Sequence, residues 1–145
     1  MKTFVDNAGR TWTVSITVDS IKRVKGLLAL NLLDTVGGDL LEKLVGDPVL
    51  LCDVVYALCK PQAEQAGVSD EDFGRAMAGD AIERATTALL EDLVDFFPGQ
   101  RRALLAKALD KLRAMENVAF EVASAKLDDP ALEAQVRAAV SESSG

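Results

Sequence analysis

The chain alternates strictly in one place, and that place limits the folds open to it. From Arg10 onward Trp12, Val14, Ile16 and Val18 fall on one side and Thr11, Thr13, Ser15 and Thr17 on the other. This is the period-2 pattern of a half-buried strand rich in β-branched side chains. Thr3-Phe4-Val5 makes a shorter run ahead of it, and Asp6-Asn7-Ala8-Gly9 supplies residues that accept positive φ at low cost. Residues 3–18 therefore predict a β-hairpin. A lone hairpin is marginal in water, so its Trp12 face has to lie on helices or pair with another chain.

Everything after the hairpin reads as helix. Asp19 and Ser20 can cap a segment bearing Ile21, Val24, Leu27 and Leu28 on one face, with Lys22, Arg23 and Lys25 in its first turns as a basic cluster that is either solvated or kept for an acidic surface. Gly37 and Gly38 end the next segment, and Asp39 starts a short helix that Gly46 breaks. Asp47-Pro48 is an N-cap followed by proline at the first helical position. The helix it opens, Val49 to Cys59, is apolar nearly all round and predicts the centre of the bundle. Lys60-Pro61 bends or ends it, and Gly67 closes a polar turn through Gln62, Glu64 and Gln65. Ser69 caps the next helix, with Asp72 at its third position and Val68 set to staple onto Phe73. Gly79-Asp80 restarts the chain for a helix to Phe97 whose main stripe is Ile82, Thr86, Leu89, Leu93, Phe96 and Phe97, with Leu90 and Val94 widening it. Gln100 to about Leu127 is an alanine-rich helix with Leu105, Ala108, Leu112, Met115, Ala119 and Val122 in a seam of three and four spacing, too short for a free coiled coil and better read as an internal packing face. A weaker helix follows Pro130 to about Val140, then a loose tail over 141–145. The expected fold class is α+β, mainly α, with the hairpin packed on a multi-helix bundle and residues 1–140 forming one domain.

Composition narrows the chemistry. The 145 residues are 49% hydrophobic and 27% charged, which fits one soluble domain able to bury about 68 to 70% of its unfolded surface. There is no histidine, which excludes histidine-dependent nucleophiles, His-bearing zinc sites and a histidine pH switch. Cys52 and Cys59 stand about 10 Å apart along one helix, beyond disulfide reach, and read as buried small hydrophobes. No glycine falls into a phosphate-binding loop, and no G-x-S-x-G elbow occurs. Asp70, Glu71 and Asp72 lack the spacing of a calcium loop and read as helix capping. The expectation is no cofactor, no metal and no catalysis; binding or assembly is the better class.

Charge adds a direction. Residues 1–30 carry five basic and two acidic side chains, residues 31–97 four and fourteen, and residues 98–145 seven of each, so the helical middle holds the acidity within a total of -7. That balance argues against nucleic-acid binding, and no apolar stretch is long enough to span a membrane. The acidity either serves solubility or steers a basic partner. Candidate partner contacts are Leu109, Val118 and Phe120, which fall outside the seam, with Glu91, Asp92 and Asp95 as a charged rim.

The series F-V-D-N-A-G-R-T-W-T-V-S-I-T-V at Phe4 to Val18, V-G-G-D-L-L-E-K-L at Val36 to Leu44, D-P-V-L-L-C-D-V-V-Y-A-L-C-K-P-Q-A-E at Asp47 to Glu64, G-V-S-D-E-D-F at Gly67 to Phe73, and the D-F-F-P that ends the long helix resembles tail assembly chaperones of long-tailed bacteriophages and prophages. The resemblance covers about residues 3–97 and rests on the order and spacing of its elements. It implies a small non-catalytic protein of the host bacterial cytoplasm that coats the tape measure protein, keeps its long apolar helices soluble, and yields them as tail tube protein polymerises. Self-association is compatible with that role. Two other classes remain open from the residues alone: a structural tail or virion component that pairs through the hairpin edge, and a small regulator that binds one protein.

Overall fold

A computed structural model describes residues 1–36 and 39–143. The fold is α+β and mainly α, 76% helical, with an antiparallel N-terminal hairpin. The chain divides into two compact units, Met1–Lys107 and Ala108–Gly145, where the sequence predicts one domain over 1–140. From Ala108 onward Leu109 is the only buried residue among those described, so the second unit has no core of its own comparable to the first.

The hairpin comprises β1 (Lys2–Val5) and β2 (Thr11–Val14), paired so that Phe4 faces Trp12 and Thr3 faces Thr13. Its loop is organised by one buried carboxylate. Asp6 Oδ1 accepts the backbone N–H groups of Ala8 and Arg10, both at 2.9 Å, and Oδ2 accepts the Trp12 indole N–H at 2.8 Å. Gly9 supplies the positive φ, 80°, that brings the chain back. Trp12 then packs edge-on against Phe73, ring centroids 5.2 Å apart, and Phe73 also meets Tyr56 at 5.4 Å. The strand is shorter than residues 10–18 predict. Thr17 forms a capping box with Ser20, so Val18 opens a helix and is exposed instead of extending the buried side of the strand.

Helix α1 (Val18–Leu28) buries Ile21 and Val24 but leaves Leu27 exposed. A 3-10 turn at Leu32–Thr35 leads to α2 (Leu40–Gly46); the expected break at Gly37 and Gly38 lies outside the described residues. Helix α3 (Pro48–Ala66) is the expected spine, burying Leu51, Val54, Val55, Ala57, Leu58, Cys59 and Ala63. Asp47 caps it through the N–H groups of Val49 and Leu50. The helix does not end at Pro61: it continues to Ala66 and stops at Gly67, φ 67°. Proline at 61 removes the N–H that would bond the Ala57 carbonyl. Arg23 of α1 substitutes, its Nη1 donating to the Ala57 and Leu58 carbonyls at 3.4 and 3.3 Å. One member of the basic cluster thus completes the spine's backbone bonding.

Helix α4 (Asp70–Arg75) is capped by the expected Ser69–Asp72 box. Helix α5 (Asp80–Phe96) buries Ala81, Ala85, Ala88, Leu89, Leu90, Asp92 and Leu93, a face rotated from the expected stripe toward its alanines. These small side chains let β1 lie close along the helix. Arg102 finishes α5, donating from Nε and Nη2 to the carbonyls of Phe97 and Asp95, both at 2.9 Å, which offsets the acidic residues in its last turns.

Helix α6 (Gly99–Leu127) begins in the first unit and ends in the second; α7 (Pro130–Ser143) follows. Asp129 starts α7 by accepting the Ala131 N–H at 2.9 Å, and Arg137 pairs with Glu133 one turn earlier. The helix therefore includes Ser141–Ser143, which the sequence assigns to a loose tail. No described helix is long and apolar enough to cross a membrane.

Candidate functional site: an exposed apolar helical surface

Burial shifts several titratable groups of the first unit. Burial pushes the Cys59 thiol up to about 12, only partly opposed by Arg23, and burial with the nearby Asp53 carboxylate raises Cys52 as well. Both cysteines are free thiols and neither forms thiolate readily at neutral pH. Asp53 is itself raised, by desolvation first and then by repulsion from Asp70 and Asp47. It borders a hollow of about 390 Å³ with Cys52, Phe73 and Met77, whose lining holds no basic side chain among the described residues.

The second unit is different in kind. Between Asn117 and Leu127 every residue is exposed although the backbone is helical throughout. Five large apolar side chains of α6 in this unit face solvent: Met115, Val118, Phe120, Val122 and Leu127. Val136 of α7 is also more than half exposed. A helical stretch of this length is marginal by itself in water, and covering such a surface is the ordinary way to stabilise it.

The structure separates the six expected contact residues. Val118 and Phe120 are exposed, 59% and 72%, and project from opposite sides of α6, Val118 with Met115 and Val122 and Phe120 with Leu127. Leu109 is corrected: it is 5% exposed and unavailable to a partner, because it falls one turn after buried Leu105 on the same side of α6. The seam behaves in the opposite sense to expectation. Leu105 is buried, but Met115, Ala119 and Val122 further along it are exposed.

The charged rim is corrected at one position as well. Asp92 is 3% exposed and accepts the Ile16 N–H at 2.6 Å and the amino group of Met1, so it ties the end of the hairpin to α5. Asp95 is exposed and pairs with Lys2 at 3.4 Å. Glu91 is exposed and lines a cleft beside β1. Glu91, Asp92 and Asp95 all lie in the first unit, apart in sequence from Val118 and Phe120 in the second.

Two residues with defined work were not singled out from the sequence. Gln62, assigned there to a polar turn, bonds the outer edge of β2 from α3. Arg84 bonds the Val5 carbonyl from α5. Neither has a local signal, since each partner is fixed only by the tertiary fold. No family model, characterised protein or solved structure matches the chain.

Proposed function

We propose that this chain is a non-catalytic tail assembly chaperone. It holds amphipathic helices of a tape measure protein against the apolar helical surface of its second unit, in the cytoplasm of a host bacterium, until tail tube protein takes its place. The observation that carries this reading is the run from Asn117 to Leu127, helical yet without a buried residue, from which Val118, Phe120, Val122 and Leu127 project. The order of elements from Phe4 to Phe97 that resembles this family supports it.

The physics suits the task. An amphipathic helix seeks a partner's apolar side chains at one-turn intervals, and Met115, Val118 and Val122 are spaced that way on α6. One such contact is weak enough to release, whereas many copies along one long client are collectively strong. Lys111, Arg113, Glu116, Glu121 and Lys126 interrupt the apolar residues and keep the free protein soluble.

The test is co-expression with the tape measure protein encoded in the same genome. The intact chain should raise the soluble yield of that client and copurify with it. Val118→Glu with Phe120→Glu should abolish both effects while the thermal midpoint of the chaperone stays within a few degrees, since neither side chain is buried. A client equally soluble with the double variant contradicts the proposal. Recovery of the chain from purified phage particles assigns it instead to the virion as a structural component.

A further inference from the structure

The two outer edges of the hairpin are finished differently. That of β2 is closed: the Thr13 N–H donates to Gln62 Oε1 at 3.0 Å, and Gln62 Nε2 donates to the Thr11 carbonyl at 2.8 Å. A side chain from α3 thus takes the place of a neighbouring strand. Because Thr11 and Thr13 direct their backbone groups outward, their opposite residues Val5 and Thr3 direct theirs away from β2 too. Arg84 confirms this side of β1, its Nε and Nη2 donating to the Val5 carbonyl at 3.2 and 3.1 Å. The Val5 N–H and both backbone groups of Thr3 have no partner among the described residues.

That open edge borders a cleft of about 870 Å³, lined by the first four residues of the chain and by Asp80, Glu83, Arg84, Thr87 and Glu91 of α5. Asp80, Glu83 and Glu91 share one side of the helix, at spacings of three and eight residues, and are exposed. No cation pairs with any of the three among the described residues. The three nearby cationic groups are engaged, Arg84 with the Val5 carbonyl, Lys2 with Asp95 and the Met1 amino group with Asp92. From Asp80 to Glu91 the ridge extends about 16 Å, the length of a strand of about five residues.

We propose that the edge of β1 receives an extended, lysine- or arginine-bearing polypeptide segment as a third strand. The segment's backbone bonds Thr3 and Val5, and its cations face Asp80, Glu83 and Glu91. The charge selects this occupant over a second copy of the chain, which would bring the same unpaired carboxylates together. Exposed edges are ready templates for strand addition, and the backbone bonds supply affinity while the alternate side chains supply selectivity. This site is independent of the helical surface on the second unit and stands whether or not that surface takes a tape measure protein.

The probe is a synthetic peptide of about ten residues alternating threonine and lysine, titrated into the full-length, nitrogen-15-labelled chain. Saturation should slow amide exchange at Thr3 and Val5. N-methylating alternate residues of the peptide should weaken binding about tenfold or more by removing edge bonds, as should the double substitution Glu83→Gln and Glu91→Gln. A threonine–glutamate peptide should not bind. Thr3→Pro removes an N–H that the β1–β2 ladder does not use, so it should abolish peptide binding and leave the hairpin intact; if that variant does not fold, the N-methylated peptide tests the same bonds from the other strand. Absence of binding, unchanged exchange at Thr3 and Val5, equal affinity for the N-methylated peptide, or a free chain already dimerised with Thr3 protected each overturns the proposal.

Discussion

The two units of this chain spend their apolar residues in opposite ways. In Met1–Lys107 the large side chains are mostly interior: Trp12, Phe73, Leu32, Leu44, Leu51, Leu89 and Leu93 are fully buried, and each buried polar side chain there, among the described residues, has a hydrogen-bond partner. From Ala108 onward Met115, Val118, Phe120, Val122 and Leu127 lie open, with Leu109 alone buried among the described residues. The difference teaches that hydrophobic content by itself does not locate a core. What separates the units is whether a second element faces the apolar side: α1, α2, α3, α5 and the hairpin face one another, whereas no buried stripe runs along α6 beyond Leu109.

Substitutions in each unit test the contrast between them. The largest effect is expected from Val54→Asp, which places an unpaired carboxylate at a fully buried position of α3. The cost should reach about 4 kcal/mol or more, enough to unfold a marginal domain, and circular dichroism should show the first unit's cooperative transition lost at 25 °C.

Asp6→Ala comes next. It strands the Trp12 indole N–H and the loop N–H groups of Ala8 and Arg10, for about 2 to 4 kcal/mol by chemical denaturation. Burial disfavours the Asp6 carboxylate, but the bonds from Trp12, Arg10 and Ala8 and the Arg10 charge outweigh it and hold its pKa below 3.8. A depressed carboxyl contributes stability that is complete above the unfolded-state value and fades as pH falls through the folded one. The wild-type chain should therefore lose stability below about pH 4, and Asp6→Ala should flatten that part of the profile.

Phe120→Ala should change stability by less than about 1 kcal/mol, because its ring is 72% exposed. A loss several times larger would place Phe120 in a core and erase the contrast between the units. The smallest effect belongs to Asp53→Asn. Desolvation, then Asp70 and Asp47, raise the Asp53 carboxyl, so its ionised form costs stability above the folded pKa and the cost disappears as pH falls to the unfolded value. The asparagine variant should melt slightly higher at pH 7, and the gain should vanish near pH 4.

What the sequence makes legible is what its neighbours in the chain decide. The Asp6–Gly9 turn, the Asp47 and Ser69 caps and the apolar spine at 49–59 all rest on contacts within a few residues, and all are present. What is not legible depends on distant partners. Pro61 passes through α3 because Arg23 reaches its orphaned carbonyl from α1. Asp92 is buried because the Ile16 N–H, 76 residues away in sequence, needs an acceptor. The face of α5 turns toward Ala81, Ala85 and Ala88 because β1 approaches closely there, a preference for small residues that a hydrophobicity stripe does not record. The same limit governs the contact surface. Apolar residues on α6 are visible in the sequence, but Leu109 and Met115 look alike until the packing assigns one to the interior and the other to solvent.

The proposed chaperone role requires that the apolar side chains beyond Leu109 stay open in the free chain and be covered by a partner's helix. Its most direct test is amide hydrogen exchange on the full-length chain, free and with an amphipathic helical segment of the tape measure protein from the same genome. The account predicts fast exchange over 112–127 in the free chain, slowed by at least about tenfold on binding, with the α3 and α5 amides unchanged. Strong protection of 112–127 in the free chain, or a client that leaves their exchange unaltered, would contradict it.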